Sequence, residues 1–482
     1  MLFLLSILLL ISLVGCSTLF KNEIPITTSS KEALQAFLKG RDLLDNSLVL
    51  ESIPYFEKAV ALDSNFAAAY LYLGQAASFD NTNKFLQNLD KAKSLTDKVS
   101  EGEKNQILLL QAYFEGNVPK QKELSEKLVA AYPKDKRVHW GMAAFYNNQR
   151  EYAKAVECYQ KAIALDSKFA PLYNFLAYCQ MNAENLPEAE KAIQKYVQLK
   201  PDEPNPYDSF AEILMKQGKF EESVQNYQKA LSLNPDFTSA FVGIGTNYIL
   251  MNKPEEARKE MQTLFDRAKM DGIKQTALYS IANSYIDEGN YPKALETYQK
   301  SYEISQKNND VLSQSADLFR MGDVLRMAGK LGEAENSYLK ASEVVQKSVL
   351  SAEIKKEVEH DLLNSRAEVA LKKGDLKSAK SCADKIFTYA GSTQSPSKLR
   401  AYHNLTGRIA LQQKQYDNAL AEFRQANQQA PYVLRRMAEA YEGKGDKAKA
   451  KEYWEKTAHY NANDIVYMFE RKLALKKLEE LK

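Results

Sequence analysis

One small residue returns at a regular interval along most of this chain, and it is the strongest constraint on the fold. The series consists of Ala143, Ala177, Ala211, Gly245, Ala282, Gly322, Ala367, Gly407 and Ala438. A second series follows twelve residues behind it and consists of Ala155, Ala189, Ser223, Ala257, Ala294, Ala334, Ala379, Ala419 and Ala450. Because two small positions keep one offset through nine copies, the chain is predicted to stack one supersecondary unit on itself. Such an architecture favours binding over catalysis.

Each copy is predicted to contain two helices. In the copy Thr238–Asp271, apolar residues at Phe241, Ile244 and Tyr248 follow the spacing of a single helix face. A second apolar stripe begins after Pro254, and proline is tolerated in the first turn of a helix. Each unit is therefore predicted to run from helix A through a tight turn into helix B. The small residues would bring the two helices close together at their crossing.

The end of helix A carries a further signal, because glycine tolerates the left-handed conformation that terminates helices. Glycines occupy that place seven residues after the first small position at Gly218, Gly289, Gly329, Gly374 and Gly445. Together these positions resemble the tetratricopeptide repeat (TPR) family. The stretch Asn205–Asp236 matches the family pattern at Tyr207, Ala211, Leu214, Gly218, Tyr227, Ala230 and Pro235. The resemblance implies an all-α fold, a right-handed TPR superhelix (α-solenoid) of antiparallel helix pairs.

The regularity of the repeat varies along the chain and predicts its organisation. The predicted segments are a lipoprotein signal peptide at 1–15, a tether at 16–32, partly degenerate TPR-like units at 33–135, regular units at 136–271, longer units at 272–390, a loop at 391–398, C-terminal units at 399–461 and a capping helix at 462–482. The loop is predicted from its run of small polar residues and proline. A terminal helix with a polar outer face would cover the last exposed repeat.

The N-terminus predicts a membrane anchor. Met1–Val14 is almost wholly apolar, too short to span a bilayer but suited to the apolar region of a signal peptide. It leads into a Leu-Val-Gly-Cys sequence ending at Cys16, which resembles the bacterial lipobox. The resemblance implies that Cys16 carries a lipid, and Ser17 after it favours the outer membrane, with the protein facing the periplasm or the cell surface. However, no basic residue precedes Lys21, so a start upstream of Met1 or a short uncleaved apolar tail are alternatives.

Three other cysteines, Cys158, Cys179 and Cys382, lie on predicted helices without the spacing of a zinc site. They are predicted to be buried thiols. A disulfide between Cys158 and Cys179 is an open alternative, because these two fall in adjacent repeats and a periplasm is oxidising.

Composition and motifs favour a protein without catalytic activity, cofactor or metal. Basic and acidic side chains are nearly balanced, 65 against 62, and no basic stripe of the kind that binds nucleic acid is apparent. No two of the four histidines have the spacing of a helical metal pair. The sequence also lacks a glycine-rich phosphate loop, a G-x-S-x-G nucleophile turn and a C-x-x-C pair.

The A helices of such a solenoid would line its concave wall, which is the predicted docking surface for proteins or peptides. Positions on the side of helix A away from helix B are predicted to be exposed there. They are Asn174, Phe175, Tyr178, Asp208, Glu212, Tyr279, Asn283, Phe319, Arg320, Asp323, Arg326, Asn404, Arg408, Arg435 and Arg436. Aromatic, asparagine and arginine side chains are suited to holding a peptide. Along the series the charge changes from acidic near Glu212 to basic near Arg435.

The preferred functional hypothesis is a membrane-tethered TPR lipoprotein that binds other proteins and scaffolds an assembly. A glycan-binding lipoprotein of the SusD-like type is an alternative, but such proteins carry tryptophans on long inserted loops. Here Trp140 and Trp454 are the only tryptophans, and both fall inside predicted helices. If the signal peptide is misinterpreted, the same scaffold would be a soluble cytoplasmic adaptor.

Overall fold

The computed structural model describes residues 23–78, 81–461 and 465–481. Within these residues the chain forms 25 α-helices and one short 3₁₀ helix, without a β-strand, so the all-α prediction is confirmed. The α-helices are Lys31–Asp45 (α1), Val49–Leu62 (α2), Ala67–Ala77 (α3), Thr82–Lys93 (α4), Glu101–Phe114 (α5), Val118–Ala131 (α6), Lys136–Asn148 (α7), Tyr152–Leu165 (α8), Pro171–Asn182 (α9), Leu186–Leu199 (α10), Pro204–Lys216 (α11), Phe220–Leu233 (α12), Thr238–Leu250 (α13), Pro254–Arg267 (α14), Asp271–Asp287 (α15), Tyr291–Lys307 (α16), Val311–Met327 (α17), Leu331–Gln346 (α18), Ala352–Lys373 (α19), Leu376–Thr393 (α20), Pro396–Gln412 (α21), Tyr416–Gln425 (α22), Pro431–Lys444 (α23), Lys447–Ala458 (α24) and Ile465–Glu480 (α25).

The odd-numbered helices from α1 to α23 are the A helices, and each is followed by its B helix after a short turn. Local chemistry sets these boundaries. The side chain of Asp310 accepts a hydrogen bond from a backbone N–H in the first turn of α17, as an N-cap residue does. At the other end of a helix, Gly374 and Gly445 stop α19 and α23 in the left-handed conformation, with φ of 75° and 80°.

Small residues and aromatic rings fill the core between the helices of a pair. Ala211, Ala282 and the other alanines of the first series are fully buried. Sixteen residues after the small position, the B helices place rings that are at most 2% exposed, namely Tyr159, Tyr227, Tyr298, Tyr338 and Phe423. A Cβ atom at Gly322 would lie 2.4 Å from the ring of Tyr338, so only glycine fits at that crossing. The regular spacing of small residues in the sequence therefore follows from the close packing of helix A against helix B.

The chain divides into two compact units. Unit 1 contains residues 23–76, 85–114 and 120–179 of the described chain. Unit 2 contains, among the described residues, the short segments 77–78, 81–84 and 115–119 and the chain from Gln180 onward. In the stretch 33–135, where the small-residue register is weak, the structure forms the helices α1 to α6.

The structure differs from the tether predicted over 16–32. Residues 23–30, here called the strap, pack along unit 1 and α1 begins directly after them. Ile24 is 6% exposed, and its backbone N–H donates to Asp135 at 3.0 Å. The carboxylate of Glu103 accepts hydrogen bonds from the backbone N–H and the hydroxyl of Thr27, at 2.8 and 2.6 Å. Carboxylates at the starts of A helices thus satisfy the strap's polar groups, and the described part is not a free linker.

The loop predicted over 391–398 is also much shorter in the structure. Helix α20 continues to Thr393, and only Gln394 and Ser395 separate it from α21, which begins at Pro396. The hydroxyl of Thr393 donates to the carbonyl of Tyr389 at 3.0 Å, one turn back. The threonine hydroxyl thus finds a partner on its own helix, and the stretch is helical although composition alone favours a loop.

The last helix, α25, packs on the final helix pair, in the part of the chain where a capping helix is predicted. Ala474 is fully buried and packs with Trp454 and Ala438. Both tryptophans lie inside repeat helices, Trp140 on α7 and Trp454 on α24.

The predicted signal peptide and Cys16 lie outside the described residues. Among the helices that are described, none combines the length and the apolar character needed to cross a bilayer. Cys158 and Cys179 are buried free thiols, so the structure contains no disulfide between them, and Cys382 is free and only partly buried.

Candidate functional site

A cavity of about 610 Å³ lies within unit 2, on the A helices α17, α19, α21 and α23 and beside α25. Five basic side chains and two carboxylates line it, together with apolar residues. The charged residues are Arg326, Lys372, Arg408, Arg435, Arg436, Glu368 and Glu470. We call this cavity the arginine groove.

Glu368 on α19 is the central acid of the groove. Arg408, one A helix further along, donates to both of its carboxylate oxygens, with a distance of 2.7 Å from Nη2 to Oε2. Arg326 approaches the same carboxylate from α17, at 3.8 Å. Although burial alone would raise the pKa of Glu368, these arginines lower it to about 2. Glu368 is therefore ionised at neutral pH and holds three successive A helices together.

Arg435 on α23 has two acidic partners. It is paired with Glu439 one turn along the same helix and with Glu470 on α25. Burial alone would lower the pKa of Arg435, but the two carboxylates raise it above its usual value. Glu470 is only 5% exposed, so this pair is largely shielded from solvent.

Arg436 differs from the other arginines of the groove because the described residues give it no acidic partner within ion-pair distance. Its Nε atom is buried and makes no hydrogen bond. Burial, together with the positive charges of Arg408 and Arg435, lowers the pKa of Arg436 to about 9. The side chain thus keeps its charge at neutral pH in surroundings that disfavour it, and an anion in the groove would relieve that cost.

The remaining lining of the groove is suited to apolar side chains and to hydrogen-bond donors such as amide N–H groups. Apolar contacts are available from Met327, Leu371, Leu405, Tyr432 and Phe469. Asn404 also faces the cavity, and its side-chain oxygen is buried without a hydrogen-bond partner in the described chain. The groove therefore combines cations, an apolar surface and a free amide acceptor.

The structure brings together the C-terminal members of the predicted docking surface. Arg326, Asn404, Arg408, Arg435 and Arg436 all line the arginine groove, although 110 residues separate the first from the last in sequence. Repeat stacking accounts for this convergence, because each A helix places its outward side chains next to those of its neighbour.

Three predicted positions are buried and do not fit the prediction of exposure. Asn174, Asp208 and Asn283 are 4%, 5% and 7% exposed. Asn283 accepts a hydrogen bond from the hydroxyl of Tyr298 at 3.0 Å, within its own helix pair. Asp208 bonds to Ser239 on the next A helix. The polar groups of Asn283 and Asp208 thus serve contacts between helices, whereas the side-chain oxygen of Asn174 is buried without a hydrogen-bond partner in the described chain.

The other predicted positions lie apart from the groove, and most have local partners. Arg320 pairs with the buried Asp317 at 2.9 Å and lies over the ring of Tyr279. Asp323 accepts a hydrogen bond from the hydroxyl of Tyr338 at 2.8 Å. Phe319 lies on α17 against the ring of Tyr338, Phe175 and Tyr178 lie on α9, and Glu212 lies on α11.

Sequence reasoning missed several groove residues, among them Glu368 and Glu470. Glu368 follows Ala367 directly, just as Arg408 follows Gly407 in the next repeat. The register therefore contained the signal for Glu368. It contained none for Glu470, because α25 lies beyond the repeats.

Unit 1 has a smaller cavity of about 160 Å³, lined by leucines, Val138, Met142 and Tyr113. Its one arginine, Arg137, is paired with Asp45 at 2.7 Å. Two hydroxyls of the lining, those of Tyr113 and Ser125, are buried without a partner in the described chain. No group of histidine, cysteine and carboxylate residues able to hold a metal occurs in the described part of either unit.

Comparisons with known proteins support the repeat assignment. Family models described as tetratricopeptide repeats match 148–210, 211–248, 274–347, 365–433 and 432–463, together more than half of the chain. A tetratricopeptide repeat-containing protein, trd-1 of Caenorhabditis elegans, is 21% identical over 40% of this chain and 24% of its own length. Anaphase-promoting complex subunit 3 of Schizosaccharomyces pombe is 22% identical over 47% of this chain and 34% of its own. The chain thus spans about a quarter to a third of the length of these relatives.

Among solved structures, a tetratricopeptide repeat protein from Parabacteroides merdae is 18% identical. The match covers 56% of this chain and 98% of the other, with a TM-score of 0.38.

Proposed function

The chain belongs to the tetratricopeptide repeat family, and we propose that it is a scaffold that binds a partner protein in the arginine groove of unit 2. One observation carries the proposal, namely that the partly buried Arg436, beside Arg408 and Arg435, has a buried Nε without a hydrogen bond and no acidic partner within ion-pair distance in the described chain. A guanidinium group in this position is suited to a carboxylate, which it can bind through two parallel hydrogen bonds. Such a scaffold needs no catalytic chemistry of its own.

The chemistry of the lining defines the partner segment. The surplus of cations favours one or more carboxylates, from acidic side chains or a chain terminus. The apolar residues beside them, such as Tyr432 and Leu405, favour large apolar side chains next to those carboxylates. We therefore propose that the partner contributes a segment in which acidic and apolar residues alternate.

Binding to a defined peptide tests this function. Fluorescence anisotropy would measure the affinity of a fluorescein-labelled peptide that alternates glutamate and leucine. Wild-type protein is expected to bind it, and Arg436→Met, which keeps an unbranched apolar stem, is expected to weaken binding at least about tenfold. Raising the salt concentration should weaken wild-type binding, since screening acts on the charge attraction.

Arg366→Met is the matched control, because Arg366 also lies on an A helix but is 47% exposed and outside the groove. It should leave the affinity unchanged. A peptide alternating glutamine and leucine should bind no better to wild type than to Arg436→Met. Equal affinity of wild type and Arg436→Met for the acidic peptide would refute the proposed site.

We further propose that the scaffold is tethered to a bacterial envelope membrane through a lipid on Cys16. The support is the apolar segment Met1–Val14 and the lipobox-like sequence before Cys16. Membrane fractionation of cells expressing Cys16→Ala should find it in the soluble or unprocessed fraction, with wild type and Cys382→Ala in the membrane. If all three fractionate alike, the tether is misassigned, whereas the groove is unaffected.

A further inference from the structure

Helix α25 does more than cover the last repeat. On one side, Ala474 and Leu478 pack with Trp454 of α24, as a capping helix requires. On another side, Phe469 and Glu470 reach into the arginine groove and form part of its lining. The same helix therefore belongs to both the end cap and the candidate binding site.

The two groove residues of α25 have the chemistry that the groove would select in a partner. Glu470 presents a carboxylate to Arg435, and its Oε1 lies 3.4 Å from Nη2 of that arginine. Phe469, directly before it, is a large apolar side chain that remains 36% exposed. An acidic residue next to an apolar one thus already occupies part of the groove.

Further contacts attach α25 to helices far away in sequence but within unit 2. Lys472 donates to the backbone carbonyl of Asp287, at the end of α15, with a distance of 2.8 Å. The guanidinium of Arg471 lies 5.7 Å from the ring centre of Phe220, at the start of α12. These contacts involve exposed or partly exposed cations, so each is expected to be weak and easily broken.

We propose that α25 is an internal competitor for the arginine groove, with Glu470 occupying a position that a partner carboxylate takes when it binds. The inference rests on the proposed function. Release of Glu470 does not leave the charge of Arg435 without a partner, because Glu439 stays paired with that arginine. Arg436 has no acidic partner in either case and provides the position that a partner carboxylate enters first.

Competition of this kind makes a quantitative prediction. The apparent affinity for a partner is reduced by the fraction of molecules in which the groove is free. If Glu470 leaves Arg435 in about one molecule in ten, removing its charge tightens binding up to about tenfold. We therefore expect Glu470→Gln to bind the acidic peptide about 3- to 10-fold more tightly than wild type.

Glu480→Gln is the matched control. It removes one negative charge from the same helix, but Glu480 is 56% exposed and lies outside the groove. Its affinity for the peptide should equal that of wild type. Lys472→Ala, which removes only the contact with Asp287, is a second test and is expected to change the affinity in the same direction as Glu470→Gln. It keeps the inference falsifiable if Glu470→Gln fails to fold.

Hydrogen exchange measured by mass spectrometry gives an independent readout of α25 itself. The acidic peptide should speed the exchange of amides in Ile465–Glu480 in wild type, whereas amides in α23 stay protected. Glu470→Gln should show faster exchange in α25 without any peptide. Unchanged exchange in both experiments would refute the displacement of α25.

The outcomes separate the two proposals. If wild type binds, Arg436→Met does not, and Glu470→Gln binds no more tightly than wild type, the groove stands and internal competition is overturned. If Glu470→Gln binds and wild type does not, competition is supported in its strongest form. If no variant binds the peptide, both proposals are overturned.

Discussion

Two partly buried arginines, one in each unit, have opposite electrostatic surroundings. Arg137 of unit 1 donates to Asp45 at 2.7 Å and has Glu23 at 4.0 Å. Although burial alone would lower the pKa of Arg137, Asp45 raises it above its usual value. For Arg436 of unit 2, burial and the positive charges of Arg408 and Arg435 outweigh the attraction of Glu368 and Glu439, and its pKa falls to about 9. The charged form of arginine is thus stabilised at Arg137 in unit 1 and disfavoured at Arg436 in unit 2.

This difference distinguishes an arginine with a structural role from an arginine that is suited to binding a ligand. When a buried arginine has a carboxylate partner in the fold, its charge is already compensated and needs no ligand. A buried arginine without one costs stability, and an anion from outside the chain can offset that cost. By this criterion the cavity of unit 1 has its arginine neutralised, whereas the arginine groove of unit 2 contains an arginine without an acidic partner, a contrast that measurements of stability can break or sharpen.

The two tryptophans allow each unit to be followed separately, because Trp140 lies in unit 1 and Trp454 in unit 2. Urea denaturation with excitation of tryptophan would report unit 1 in a Trp454→Phe background. It would report unit 2 in a Trp140→Phe background. Each stability prediction below uses the background that reports its own unit.

The largest effect is expected at the paired arginine. Asp45→Ala leaves Arg137 buried without its main partner and should lower the free energy of unfolding of unit 1 by about 3–5 kcal/mol. The double variant Asp45→Ala/Arg137→Met removes both charges and should recover much of that loss. A loss below about 1 kcal/mol in the single variant would mean that the pair is not structural.

Removing the unpaired arginine should have the opposite sign. Arg436→Met replaces a partly buried cation that has no acidic partner with an apolar side chain and should raise the free energy of unfolding of unit 2 by about 1–3 kcal/mol. The exposed Arg366→Met should change it by less than about 0.5 kcal/mol. If Arg436→Met destabilises unit 2, then Arg436 has a structural partner and the contrast with Arg137 fails.

The repeat register predicts most of the fold and part of the site. Because Ala211, Gly322 and their equivalents must lie at a helix crossing, their spacing fixes which residues form helix A and which form helix B. The same register predicted the outward side of the A helices, and there Arg408, Arg435 and Arg436 do converge.

What the register could not predict depends on contacts between elements distant in sequence. Ile24 occupies an apolar niche formed by Leu128 and Val138, more than a hundred residues later. Asp208 is buried because its neighbour on α13 is close, not because of its own position in the repeat. Glu470 enters the groove from a helix outside the repeat pattern. Such pairings follow from three-dimensional stacking, which a period in sequence does not encode.

A smaller effect is expected at Asp208, which is 5% exposed. Burial, with the nearby charge of Glu212, raises the pKa of Asp208 well above its usual value. A carboxyl group with a raised folded-state pKa binds its proton more tightly in the folded state. Unit 2 should therefore lose stability as the pH rises through the unfolded pKa of about 4 towards the folded one.

Asp208→Asn should abolish that loss and raise the free energy of unfolding at pH 7 by about 1–2 kcal/mol. Denaturation at a series of pH values, observed through Trp454, measures both quantities. Asp202→Asn, at an exposed position just before α11, should keep the wild-type pH dependence. A wild-type pH dependence in Asp208→Asn would show that Asp208 is ionised in the folded protein without cost.

The smallest effect is expected at Ser125, whose hydroxyl is buried in the unit 1 cavity without a partner in the described residues. An unpaired hydroxyl is far cheaper to bury than an unpaired guanidinium, because it carries no net charge. Ser125→Ala removes it and also improves helix propensity within α6. The free energy of unfolding of unit 1, observed through Trp140, should therefore rise by about 0.5 kcal/mol.

A loss of more than about 1 kcal/mol in Ser125→Ala would reverse the interpretation of unit 1. It would mean that the hydroxyl has a bound partner in solution, such as a water molecule in the 160 Å³ cavity. The comparison would then no longer set a neutralised cavity against an open one. Both cavities would then contain polar groups with partners in solution, and only the charge of Arg436, which has no acidic partner, would distinguish the proposed binding site.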